Sequence, residues 1–218
     1  MRGARDRWVI LDVGETLVDE TRVWSIWADE LGVPRLTFMA ALGAVIDRTG
    51  EHREVFDLLG FPDWRARYPA FTAAYGSFRE DDLYADALPA VRALMDDGFR
   101  LAIFANQPVS RSGELRALGF DPEVMAMSDE MGVSKPDAAF FARALALLGD
   151  PPPGSVAYVG DRIDNDVVPS SAAGMRAIWL RRGPWGVIHS LPPEVQPALV
   201  VRSLAELAER IGEAWPQG

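Results

Sequence analysis

The chain of 218 residues is long enough for one domain with a full hydrophobic core, or for such a core carrying a smaller insertion. Its formal charge of -10 excludes nucleic acid and anionic membrane surfaces as bulk partners, so any anionic substrate must be held by local charge. The absence of cysteine excludes disulfide frameworks and thiolate metal or redox chemistry.

The chain opens with a charged segment, residues 1–7, and the apolar run behind it, 8–11, is too short for a signal peptide. Nowhere do about eighteen apolar residues run together, so no membrane-spanning helix is expected and a cytoplasmic location is. Residues 8–11 read as a buried strand, ending in Asp12-Val13-Gly14-Glu15-Thr16-Leu17. From about 20 to 82 no strand-like run appears. Val23, Trp24, Trp27 and Leu31 recur at helical spacing, and Gly32-Val33-Pro34, Gly60-Phe61-Pro62 and Tyr75-Gly76 divide the stretch into about four helices. Trp24 and Trp27 are expected to pack this insert rather than line a substrate pocket.

After the insert, strands at 101–105, 124–127, 156–159 and 177–180, and a weaker one at 199–201, alternate with helices over 88–97, 111–118, 136–148 and 165–173. Each of these helices is closed by a glycine, at 98, 119, 149 and 174. Pro151-Pro152-Pro153-Gly154 reads as a stiff connector and the last three residues as a frayed end. Strand and helix alternating at this spacing predict right-handed crossovers and a doubly wound, Rossmann-like parallel α/β sheet. The expected division is a core of residues 1–19 and 83–218 and an inserted helical unit of residues 20–82.

Ligands of an open parallel sheet bind beyond the carboxyl ends of its strands, where strand order reverses. Asp12 follows the first strand, Asn106 the second, Lys135 comes after the third, and Asp161 follows the fourth with Asp164 and Asp166 close behind. Lys135 is the single lysine among twenty-two basic residues. A compact ammonium can sit beside a carboxylate and a phosphate together, where a forked guanidinium fits poorly. Carboxylates so crowded invite a hard divalent cation.

In these residues the chain resembles the haloacid dehalogenase superfamily. The first motif, Asp-x-Asp-Gly-Thr-Leu, corresponds to Asp12-Val13-Gly14-Glu15-Thr16-Leu17. The second, a strand ending in Ser or Thr, corresponds to Phe104-Ala105-Asn106, and the third to Lys135-Pro136. The fourth corresponds to Gly160-Asp161 with Asp166, followed by Ala172-Ala173-Gly174-Met175. The resemblance implies that the insert is a helical cap and that the protein is a Mg²⁺-dependent hydrolase or phosphotransferase of a small phosphorylated metabolite. It further implies that Asp12 forms an aspartyl-phosphate. Mg²⁺ ligands would be Asp12, the carbonyl of Gly14, Asp161 and Asp166, the last directly or through water. Lys135 would stand between Asp12 and a phosphoryl oxygen, with Asn106 and loop amides donating to the others.

Two positions depart from that pattern. Gly14 stands where the family has the aspartate that protonates the leaving oxygen, so poor leaving groups such as alkoxides should suffer most, and Gly14→Asp is expected to accelerate turnover of alkyl phosphates. Ala105 stands where a hydroxyl would bind phosphate. Glu15 lies one residue too far along to replace the missing acid without a rebuilt turn and reads as a solvated or ion-paired turn residue. Asp19 and Glu20 read as carboxylates favoured at a helix start, the lesser reading being a cap residue that reaches inward to the site. His52 and His189 read as surface or packing residues, and Arg181, Arg182 and Trp185 as a solvated loop. Two other functions stay open: a catalytically lapsed binding or regulatory protein, and a dehalogenase-like hydrolase that attacks carbon.

Overall fold

The computed structural model describes residues 6–216; the expectations for residues 1–5 and for 217–218 lie outside them. Six parallel strands make one sheet: β1 (Trp8–Leu11), β2 (Arg100–Ala105), β3 (Val124–Met127), β4 (Val156–Gly160), β5 (Arg176–Leu180) and β6 (Leu199–Val201). Their order is β3-β2-β1-β4-β5-β6. Every strand expected from an apolar run is present, because parallel strands are covered on both faces and carry no polar alternation to obscure them. Alternate residues of β1 serve opposite faces. Val9 and Leu11 join Leu101, Ile103, Val159 and Ile178 in one cluster, and Trp8 and Ile10 join Ala102, Phe104 and Tyr158 in another. Each of the Val, Leu, Ile and Phe side chains among them contributes about 1.5–3 kcal/mol by leaving water.

Helices α1 (Thr21–Leu31), α2 (Arg35–Thr49), α3 (Glu54–Leu58) and α4 (Tyr68–Tyr75) form the insert. Their core is aromatic, with the Trp27 and Phe71 rings stacked at 4.3 Å and Phe56 and Trp64 at 4.4 Å. The chain leaves and rejoins the sheet side by side: the Asp19 N–H donates to the Asp82 carbonyl at 2.8 Å, and the Tyr84 N–H to the Leu17 carbonyl at 3.0 Å. Arg22 reinforces this junction, its guanidinium donating to Asp82 Oδ1 at 2.6 Å and to the carbonyls of Tyr75 and Ser77.

The remaining helices are α5 (Ala87–Asp96), α6 (Ser110–Ala117), α7 (Ser128–Met131), α8 (Ala138–Leu147), α9 (Val168–Ala172), α10 (Gly183–Ile188) and α11 (Leu204–Arg210). Residues of α5 and α11 pack on one face of the sheet, and Phe140, Phe141 and Ala144 of α8 on the other. Two segments differ from the sequence reading. The helix expected over 165–173 is replaced by a π-turn at Ile163–Val167 followed by the short α9, because the Asp166 and Val167 N–H groups both bond the Arg162 carbonyl and the widened turn carries Asp166 inward. The loop expected after β5 contains α10, with Pro184 in its first turn and Trp185 buried. Among the described residues no helix is long and apolar enough to cross a membrane.

Candidate active site at the carboxyl ends of β1 and β4

From β1 the chain runs to β2 and β3 on one side of the sheet, while β4 returns on the other, so the reversal of strand order falls at β1 and β4. Asp12 stands at that point, its N–H donating to the Val159 carbonyl at 3.0 Å. Behind it the backbone folds into a tight turn in which the N–H groups of Thr16, Leu17 and Val18 all reach the Val13 carbonyl. Lys135 arrives from the loop between α7 and α8. It is fixed there by Asn106, whose Oδ1 accepts from the Lys135 N–H at 2.8 Å and whose Nδ2 donates to the Lys135 carbonyl at 2.9 Å.

The Lys135 ammonium is buried and bridges two carboxylates, Asp12 Oδ1 at 2.8 Å and Asp166 Oδ1 at 2.6 Å. The second oxygen of Asp166 accepts from the Arg162 N–H at 3.0 Å. Asp166 also needs Gly160, since a Cβ there would lie 2.3 Å from the Asp166 carboxyl carbon. Asp161 completes the cluster, with candidate ligand oxygens of Asp12, Asp161 and Asp166 all within 4.8 Å of one another. Its Oδ2 is buried without a hydrogen-bond partner, a costly state for a carboxylate unless a cation joins it.

Three carboxylates around one ammonium set the local electrostatics. Burial, then Asp166 and Asp12, push the Asp161 carboxyl well above the usual range. Burial raises Asp166 to about 6 against the pull of Lys135. Burial also opposes charge on Lys135, but Asp12 and Asp166 outweigh it and hold the ammonium well above its ordinary value. The site carries excess negative charge that a hard cation with oxygen ligands would balance, and the orphaned Asp161 oxygen fits such an ion.

The expected constellation of Asp12, Lys135, Asp161 and Asp166 is therefore brought together, while other residues take different places. Asn106 lines the cavity, but its amide is engaged with the Lys135 backbone. Ala105 packs its methyl into the hydrophobic core. Gly14 sits in the turn, bridged to Val18. Asp164 stays out of the acidic cluster because Arg162 holds it at 2.6 Å on the exposed side. Arg182 is not a solvated loop residue: it is tied to Asp86 and to the Thr16 carbonyl. His52 packs between Trp24 and Trp185, and His189 bonds the Ile46 carbonyl. Trp24 and Trp27 do pack the insert as expected, yet they also form part of the cavity wall.

Both glutamates of the turn depart from the sequence reading. Glu15 is buried rather than solvated, with φ of +51°, accepting from the Tyr84 hydroxyl and, at 3.1 Å, from the Glu20 N–H. Glu20 does not act as a helix-start carboxylate: its side chain caps nothing, whereas Asp19 accepts from the Thr21 N–H at 2.8 Å. The Glu20 carboxyl instead turns back to the first turn, where a Cβ placed on Gly14 would lie 2.6 Å from its Oε1. Burial, reinforced by Glu15 and Asp12, pushes Glu20 up to about 8. Sequence reasoning allows an inward reach for this residue but favours the helix-start reading; the available signal is a glycine in place of an acid with another acid six residues on.

These groups open into a cavity of about 920 Å³ between the strand ends and the insert, walled on the insert side by Trp24, Trp27, Phe56, Trp64, Phe71 and Tyr75. Trp24 Nε1 and the Tyr75 hydroxyl are buried there without partners.

Comparison with known proteins bears on the family and the fold. Phosphoserine phosphatase of Thermus thermophilus is 31% identical over 186 residues, 84% of this chain and 72% of that protein. Glyceraldehyde 3-phosphate phosphatase of Methanopyrus kandleri is 38% identical over 104 residues, 46% of this chain, which spans less than half (44%) of that protein's length. Among solved structures, the magnesium-bound HAD-hydrolase YfnB of Bacillus subtilis superposes with a TM-score of 0.68 at 19% identity, covering 93% of this chain and 97% of its own. Structures at this level of identity are named both as phosphatases and as dehalogenases, so likeness of shape does not choose between those chemistries. The family model for haloacid dehalogenase-like hydrolases matches residues 7–174, from the strand before Asp12 to the helix after Asp166. The chain belongs to the haloacid dehalogenase-like hydrolases.

Proposed function

We propose that the protein is a phosphatase of small phosphorylated metabolites that works through an aspartyl-phosphate on Asp12. The observation that carries this reading is the Lys135 ammonium, buried between Asp12 and Asp166 at 2.8 and 2.6 Å, beside the unpartnered oxygen of Asp161. Asp12 attacks phosphorus as the ester P–O bond breaks, and water then hydrolyses the acyl phosphate. Lys135 keeps Asp12 ionised and offsets its repulsion with the incoming anion. Asn106 acts by holding the Lys135 backbone in register.

Asp12, Asp161 and Asp166 would hold Mg²⁺, which supplies neutralisation of the transferred group's charge. Residues 20–82 act as a cap that covers the strand ends and selects the substrate through its aromatic wall. The phosphatase names of the two sequence relatives support the same reaction class.

The test is a panel of phosphate esters and acyl phosphates assayed with Mg²⁺, with EDTA, and with Asp12→Asn. Turnover that needs both the cation and Asp12 is expected. Hydrolysis of a haloacid that persists in EDTA would assign the site to attack on carbon, and inertness toward every substrate would make it a binding site.

A further inference from the structure

Position 14 carries no side chain, yet the space that its side chain would fill is not empty. A Cβ built on Gly14 would meet Glu20 Oε1 at 2.6 Å and the Glu20 carboxyl carbon at 3.1 Å. Glu20 lines the same cavity as Asp12, Lys135 and Asp161, and its side chain makes no cap bond to the N–H groups of its own helix. Its position is set from behind, because the Glu15 carboxylate accepts from the Glu20 N–H and is itself held by the Tyr84 hydroxyl. Gly183 makes room for that support: a Cβ there would come within 2.4 Å of Glu15 Oε2.

We propose that Glu20 is the general acid and base of this active site, reaching from the start of α1 into the place left by Gly14. The proposal rests on the phosphatase reading above. In the first step the Asp12 oxygen bonds to phosphorus while the bond from phosphorus to the leaving oxygen breaks, and the proton of the Glu20 carboxylic acid passes to that oxygen, releasing an alcohol. In the second, water bonds to phosphorus, its proton returns to Glu20, and the bond between phosphorus and Asp12 breaks. Ester and water become alcohol and phosphate, with Asp12 and Glu20 restored. The carboxyl comes from the insert side of the junction at Asp19 and Asp82, so proton transfer is coupled to how the insert sits on the core.

The experiment compares an alkyl phosphate with 4-nitrophenyl phosphate, whose leaving group needs no proton. For Glu20→Gln, kcat/KM is expected to fall about 10²–10³-fold on the alkyl ester and less than about 10-fold on the aryl ester. Glu20→Ala is expected to lose the alkyl activity likewise, and adding Gly14→Asp to it to restore at least about 10-fold, whereas Gly14→Asp alone, contrary to the acceleration expected from the sequence, merely exchanges one carboxyl for another in space that Glu20 already fills and gains little. An equal loss on both esters, no loss, or no rescue overturns the role of Glu20 while Asp12-dependent turnover by the wild type leaves the phosphatase reading standing. A wild type inert on both esters, indistinguishable from Asp12→Asn, overturns both.

Discussion

At the scale of single residues, the site depends on close approaches that tolerate few substitutions. Lys135 Nζ lies buried between two carboxylates, with the Tyr158 ring 5.4 Å away. Lys135→Arg keeps the charge but brings a planar fork into a place shaped for a point charge, so activity should fall to background even where the protein still folds, as measured by steady-state turnover beside circular dichroism. Gly160→Ala should lower kcat by about 10²-fold, because the new methyl drives Asp166 away from Lys135 and misplacements near 1 Å cost that much. Unchanged kcat in that variant would mean that Asp166 does not matter to turnover. Why these residues converge was partly legible in the sequence, since each follows a strand of a parallel sheet. The inward turn of Glu20 is the less favoured of two readings there, because it depends on how a six-residue turn folds back on itself.

At the scale of elements, the junction between sheet and insert is a charged clamp. Arg22 of α1 grips Asp82 with two guanidinium nitrogens, and both partners are largely buried. Burial works against the charge on Asp82, but the Arg22 guanidinium and the Arg79 N–H outweigh it and hold that carboxyl below its usual range. A carboxyl depressed in the folded state contributes stability that is present above its unfolded value, about 3.9, and is lost as pH falls through the folded value. Acid should therefore loosen this junction. Asp82→Asn should cost about 3 kcal/mol at neutral pH, measured by urea denaturation, and the gap to wild type should narrow below about pH 4. A gap that stays constant down to pH 2 would show that Arg22 and Asp82 contribute no linked stability. The strands of the sheet and four helices of the insert follow from apolar runs and helical spacing, but α10 and the π-turn do not. Trp185 of α10 is drawn into the core by packing, and the π-turn forms because Asp166 has a buried partner waiting in Lys135.

At the scale of the whole molecule, folding gathers the carboxyls of Asp12, Asp161 and Asp166 around one place where a single ammonium, Lys135, pairs with two of them. A divalent cation that binds only the folded form should stabilise it, by about 2.7 kcal/mol at a hundred times its Kd. For a chain of this size that is a rise in Tm of roughly 5–10 °C with Mg²⁺, reversed by EDTA and largely absent in Asp161→Asn. Equal melting with and without the cation would remove the metal from the proposed mechanism.

The sequence by itself determined the sheet, the insert and the four strand-end groups, because hydrophobic periodicity and turn residues are local signals read within a few positions. The lone lysine and the order of the motifs carried the family resemblance for the same reason. Only the tertiary structure decided which of the acids meet: it turned Asp164 outward to Arg162, sealed Glu15 behind Tyr84, and set the Glu20 carboxyl against Gly14. Those outcomes depend on contacts between segments far apart in the chain or folded through a strained turn, and residue type and spacing do not encode the direction in which a side chain points.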